Sequence, residues 1–189
     1  MSWWTFSRAA DTDGPARPVR IEPLDVVQDA PAARAALPKG GLAAVVGTAT
    51  AAILLPFVGA WEGTRNDPYR DIVGVWTVCT GETRVPMRRY SDAECAAMLD
   101  KSLAGYARPV LARNPELAGH SSQLAAAVSF AYNIGGGAYD RSSVARHFSA
   151  GRWRAACDAM LRWNMAGGRV VKGLDNRRRA ERALCLRGL

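Results

Sequence analysis

Between Lys39 and Glu62 the chain runs for 22 residues without a charge, GGLAAVVGTATAAILLPFVGAW from Gly40 to Trp61. A helix needs about 20 predominantly apolar residues to cross a bilayer, so the length is sufficient. The content is unusual for a permanent span: four residues are Gly and six are Ala, with Thr48, Thr50 and Pro56 besides. Transfer into lipid is therefore much less favourable per residue than for a Leu-rich helix. A signal peptide fits poorly, because the stretch begins only at residue 40 and no small-residue cleavage site follows it. A buried core helix accounts for only part of the stretch, since Gly40 to Gly47 is a poor helix in water. The expectation is a segment that enters the membrane at some stage. Arg34 and Lys39 on its flank place the N-terminus in the cytoplasm.

Residues 1–39 contain Pro15, Pro18, Pro23, Pro31 and Pro38 and no sustained apolar period, so they read as a disordered or extended tail. Trp3 and Trp4 could anchor at a membrane interface or be an incidental exposed pair. The remaining length suits one globular domain with a hydrophobic core. The tail carries five basic and five acidic residues, so the net charge of +8 belongs entirely to residues 40–189. Such a body seeks polyanions: nucleic acid, anionic lipid or the acidic bacterial cell wall.

Strand character occupies Pro68 to Thr83 and helices follow to the end. Ser91-Asp92-Ala93-Glu94 starts one helix running to about Ala112, and Ser121 or Ser122 opens another to about Tyr132. Ser142 to Phe148, Arg152 to Trp163 and Asp175 to about Leu186 complete the set. Within the strand region, Asp71-Ile72-Val73-Gly74-Val75-Trp76-Thr77 reads as a hairpin. With Gly74 at the turn centre, Asp71 and Thr77 lie directly opposite each other, about 5 Å apart at Cβ, and could hold one water between them. Glu62 closes the apolar segment, where desolvation raises a carboxyl pKa, whereas Asp71 on a polar hairpin stays ionised. Two carboxyl groups whose environments separate their pKa values are what glycoside hydrolysis requires: a proton donor to the leaving oxygen and a base for water. Each residue alone could be a surface charge, a turn residue or a strand former; the joint spacing Glu-x8-Asp-x5-Thr is the informative feature.

Embedded in WEGTRNDPYRDIVGVWTVCTGET, these three residues resemble the catalytic Glu-Asp-Thr triad of phage lysozymes of glycoside hydrolase family 24. The likeness is greatest to lambdoid endolysins with a signal-anchor-release segment. It continues through SFAYNIGGGAYDRSSV (129–144) and ACDAMLRWNMAGGRVVKGLDNRRRAERALCL (156–186). The resemblance implies an α+β, mainly helical lysozyme-like fold, with a small β-hairpin lobe and a larger helical lobe. It divides the chain into the tail 1–39, a signal-anchor-release segment or first helix at 40–61, and a catalytic domain at 62–189. It makes Glu62 the general acid, with Asp71 and Thr77 positioning the water that cleaves, with inversion, the β-1,4 bond between N-acetylmuramic acid and N-acetylglucosamine. Tyr132, Asn133 and Ser142 fall where the family contacts saccharide, and Arg177 where an arginine approaches the glutamate and moderates the rise in its pKa. Glu82 stands after Gly81 where many members have histidine.

That resemblance implies host lysis by a protein held in the inner membrane through residues 40–61, catalytic domain in the periplasm, then released there. Its partners are peptidoglycan glycan strands and that membrane, with no nucleic acid, no cofactor and no metal, and the active form is a monomer. A lytic transglycosylase uses a single glutamate and no water, so Asp71 and Thr77 speak against it. A membrane-anchored wall-binding or morphogenesis protein with a vestigial site is the alternative from another class. An extracytoplasmic substrate makes disulfides the expectation for the four cysteines, with four buried free thiols as the alternative. Of three possible connectivities, the local one pairs Cys79 with Cys95 and Cys157 with Cys185. The run Arg177-Arg178-Arg179 with Arg182 and Arg187 has no aromatic interleaving and no DNA motif beside it, so it reads as a solvated helix face plus a cell-wall-facing site and not as a nucleic-acid patch, and Gly135-Gly136-Gly137 reads as a turn between helices.

Overall fold

The computed structural model describes residues 41–71 and 74–189; the tail 1–39, including Trp3 and Trp4, lies outside the described residues. The uncharged segment forms two helices, α1 (Leu42–Val46) and α2 (Thr48–Glu62), in place of the single first helix expected. They join at Gly47, whose backbone at φ +82 and ψ 157 is accessible to glycine and strained for other residues. Leu42, Val46, Ala51, Leu54 and Val58 are buried in the main core, and Pro56 sits on the exposed side of α2. Among the described residues no helix is long and apolar enough to cross a membrane.

After Gly63 the chain forms an antiparallel hairpin of β1 (Arg65–Arg70) and β2 (Trp76–Cys79). Ser91 then caps α3 (Asp92–Arg113): its hydroxyl accepts from the Glu94 N–H, and the Glu94 carboxylate accepts from the Ser91 N–H. This reciprocal pair satisfies two otherwise unpaired helix-end donors. Helix α4 (Ser121–Ile134) is the central element, buried at every position from Gln123 to Ala131, and α2, α3 and the later helix α8 (Lys172–Cys185) pack around it. Gly135 ends it at φ +92 and leads into α5 (Gly136–Arg141), so Gly136 and Gly137 begin a helix that the triple glycine concealed.

Helices α6 (Ser143–Ser149) and α7 (Trp153–Ala159) follow, then a short hairpin of β3 (Met165–Ala166) and β4 (Arg169–Val170). Gly167 and Gly168 join its strands with both φ values positive, the turn that suits the twist of a two-residue hairpin. Helix α8 (Lys172–Cys185) closes the fold. The small lobe has its own core of Val78, Cys79, Tyr90 and Cys95. Disulfides join Cys79 to Cys95 within it and Cys157 to Cys185 between α7 and α8.

Candidate active site

Glu62 is the last residue of α2, and the fold brings it against α8. Its Oε1 accepts a hydrogen bond from Arg177 Nη1 at 2.7 Å, with side-chain exposures of 13% for Glu62 and 6% for Arg177. Arg177, expected near saccharide and near the glutamate, is thus buried beside Glu62.

Behind this pair lies a charge network absent from the sequence reading. Arg177 Nε donates to Glu181 Oε1 at 3.2 Å, and Ser129 Oγ donates to the same oxygen at 2.8 Å. Arg178 is fully buried, its Nε 2.8 Å from Glu181 Oε2, and its Nη2 donates to Glu181 Oε1 and to Asn133 Oδ1. The guanidinium lies over the Phe130 ring, 5.0 Å from its centroid. Burial pushes the Glu181 carboxyl up and the Arg178 guanidinium down from their ordinary values, and each partner opposes the other's shift. The basic run is therefore not a solvated face throughout. Arg177 and Arg178 turn inward to a buried carboxylate, while Arg179 pairs with Asp175 and Arg182 with Asp158 at the surface.

Helix α4 supplies Tyr132 and Asn133. Tyr132 packs edge-on against Tyr106, and burial, followed by the charges of Glu62 and Glu82, pushes its hydroxyl pKa up. Asn133 accepts a hydrogen bond at Oδ1 from Arg178 Nη2. Ser142, also expected at the saccharide, is buried and uses its hydroxyl to cap α6 by accepting from the Ala145 N–H. Glu82 follows β2, held by paired backbone hydrogen bonds to Val78; burial raises its carboxyl and Lys101 opposes the rise.

The hairpin register corrects the expected pairing. Tyr69, not Asp71, faces Thr77, and Asp71 meets Val75, donating its N–H to the Val75 carbonyl. Gly74, at φ +81, is the last residue of the connection between 71 and 75 instead of its centre, which moves the register by two residues. Alternation still puts 71 and 77 on one face as diagonal neighbours, roughly 7–8 Å apart in an ideal ladder. Val75 links them: its N–H donates to Asp71 Oδ1 at 2.8 Å, and its carbonyl accepts from the Thr77 hydroxyl at 3.1 Å. Thr77 is buried and Asp71 half-buried.

A helical lobe carrying one carboxyl group at a helix end, joined to a hairpin lobe carrying another beside a threonine, defines a protein of the lysozyme type. The phage lysozyme family model matches residues 59–181, and the chain belongs to that family. It is 42% identical over 132 residues to the SAR-endolysin of Bacteriophage PS119, covering 67% of this chain and 77% of that protein. Among solved structures, the active form of the P1 phage endolysin Lyz aligns at TM-score 0.64 and 26% identity, over 78% of this chain and 94% of that one. A point mutant of P22 lysozyme aligns at TM-score 0.63 and 28% identity, over 70% of this chain and 94% of that one. The chain is a phage lysozyme, an enzyme that hydrolyses peptidoglycan.

Proposed function

We propose that Glu62 is the general acid and that Asp71, with Thr77, holds and activates the attacking water. Glu62 gives its proton to the oxygen leaving from the N-acetylmuramic acid–N-acetylglucosamine bond. Water adds to the anomeric carbon from the opposite face, and Asp71 takes the water's proton. The observation that carries this reading is the pairing of Glu62 with Arg177, a carboxyl group partly withdrawn from water and fixed in place at the end of α2. The Val75 backbone holds Asp71 and Thr77 in a fixed relation on one face of the hairpin. Turbidity loss of permeabilised cells separates the possibilities: wild type lyses and Glu62→Gln does not. Lysis by both removes Glu62 from the acid's role, and lysis by neither favours a wall-binding protein.

The second part of the proposal concerns residues 40–61. They serve as a signal anchor in the host inner membrane, N-terminus inside and catalytic domain in the periplasm, and then leave the bilayer to become α1 and α2. Support comes from the weak hydrophobicity of the stretch, from its burial in the enzyme core, and from the SAR-endolysin name of its relatives. A chain whose apolar residues fill its own core cannot bury them in lipid at the same time, so Glu62 reaches Arg177 only after release. Membrane-tethered protein should be inactive until depolarisation; equal activity before and after would end this part.

A further inference from the structure

Glu181 takes no part in the two-carboxylate chemistry, yet it is fully buried and meets both inward arginines. Arg177 presents different nitrogens to its two carboxylates, Nη1 to Glu62 and Nε to Glu181, so the pair of bonds fixes the plane of the guanidinium. Ser129 from α4 fixes Glu181 in turn. The cluster holds two guanidinium groups and two carboxyl groups. Removing one member of such a buried set leaves a partner charge uncompensated.

We propose that Glu181 is a positioning residue for the hydrolysis: by sharing Arg177 with Glu62 and neutralising Arg178, it sets both the place of the Glu62 carboxyl and the positive charge that carboxyl faces. The inference rests on Glu62 being the proton donor. Without Glu181, two guanidinium groups are left with Glu62 as their carboxylate. The proton donor would then hold its proton only at lower pH. The other titratable groups whose charges reach this site are Tyr132 on α4 and Glu82 after β2, with Lys101 of α3 acting on Glu82. None of them touches Glu181, whose partners are Arg177, Arg178 and Ser129.

The test is the pH dependence of kcat and KM on purified peptidoglycan for the full chain, with thermal unfolding alongside, for Glu181→Gln, Arg178→Met and Glu62→Gln. For Glu181→Gln the alkaline limb of the kcat profile moves to lower pH by about one unit, the size expected for removing one charge at this range in a partly screened interior. At neutral pH kcat then falls about tenfold, with KM changed by less than about twofold, and activity returns on acidification. Arg178→Met takes away a cation, so its limb moves to higher pH. A purely structural role lowers kcat at every pH and lowers the unfolding temperature without moving either limb. That result, or two limbs moving in the same direction, overturns the proposal. If Glu181→Gln yields no folded protein, Arg178→Met decides alone: an upward shift supports the proposal and an unmoved limb overturns it. Activity in Glu62→Gln is a separate failure, of the proton-donor assignment itself.

Discussion

Gly41 and Asp100 offer a sharp test of how the former apolar segment docks. The Leu42 N–H, the first free donor of α1, donates to Asp100 Oδ2 at 3.0 Å, and Asp100 is buried on α3. A β-carbon built on Gly41 overlaps Oδ2 and comes within 2.9 Å of the carboxyl carbon, with nothing else as near. Gly41 has a negative φ, so glycine is required by close approach and not by backbone conformation. Gly41→Ala must therefore expel the carboxylate from the helix end. Overcrowding costs about 1–3 kcal/mol and a lost charged helix-end bond about 1–2, giving roughly 3 kcal/mol in all. For a domain of this size that lowers the unfolding temperature by about 6–12 °C. Asp100→Ala loses the bond alone, about 1.5 kcal/mol or roughly 3–6 °C. In the Asp100→Ala background the new methyl has room, so the double variant should unfold near the Asp100→Ala value. Calorimetry of all four proteins gives the coupling directly. Effects that add to within about 0.5 kcal/mol would refute the contact as the reason for glycine.

Further outcomes follow from other parts of the molecule. Reduction of the disulfides, which span 16 and 28 residues, should cost about 3 kcal/mol each on the chain-entropy account, read as a lower unfolding temperature in dithiothreitol. Asp71→Asn should reduce the rate by several orders of magnitude while thermal unfolding stays unchanged; near-wild-type turnover would contradict its assignment as base. Hydrogen bonds from Arg88 and Ser91 hold the Glu94 carboxyl down to about 2 from an ordinary 4.5. Because the folded value is the lower one, its contribution to stability is complete above pH 4.5 and disappears as pH falls toward 2. Glu94→Gln should therefore flatten the acid limb of the stability profile, and an unchanged acid limb would remove that carboxylate from the account.

Much of the architecture is local and therefore legible in the chain. Ser91 and Glu94 announce the start of α3 because both halves of the capping pair lie within four residues, and the apolar period of α4 survives because nearly the whole helix is buried. The spacing of Glu62, Asp71 and Thr77, on which the proposed chemistry rests, is likewise short-range. What sequence reading misplaces depends on partners far along the chain. Arg177 and Arg178 look like a solvated face until Glu62 and Asn133, 115 and 45 residues away, meet them, and until Ser129 helps to hold the buried Glu181 that both arginines face. Asp100 falls on a helix where an exposed acid is ordinary, and only the docking of α1 gives it a role. The hairpin register slipped for a different reason: a glycine in a turn marks the left-handed position, not the midpoint.

The most direct measurement is mass spectrometry of muropeptides released from peptidoglycan digested in ¹⁸O-enriched water. Water held at the hairpin and a proton delivered from Glu62 predict reducing N-acetylmuramic acid ends carrying one ¹⁸O, and no such ends from Glu62→Gln. Anhydro ends without label, or labelled ends from Glu62→Gln in wild-type yield, would contradict the account.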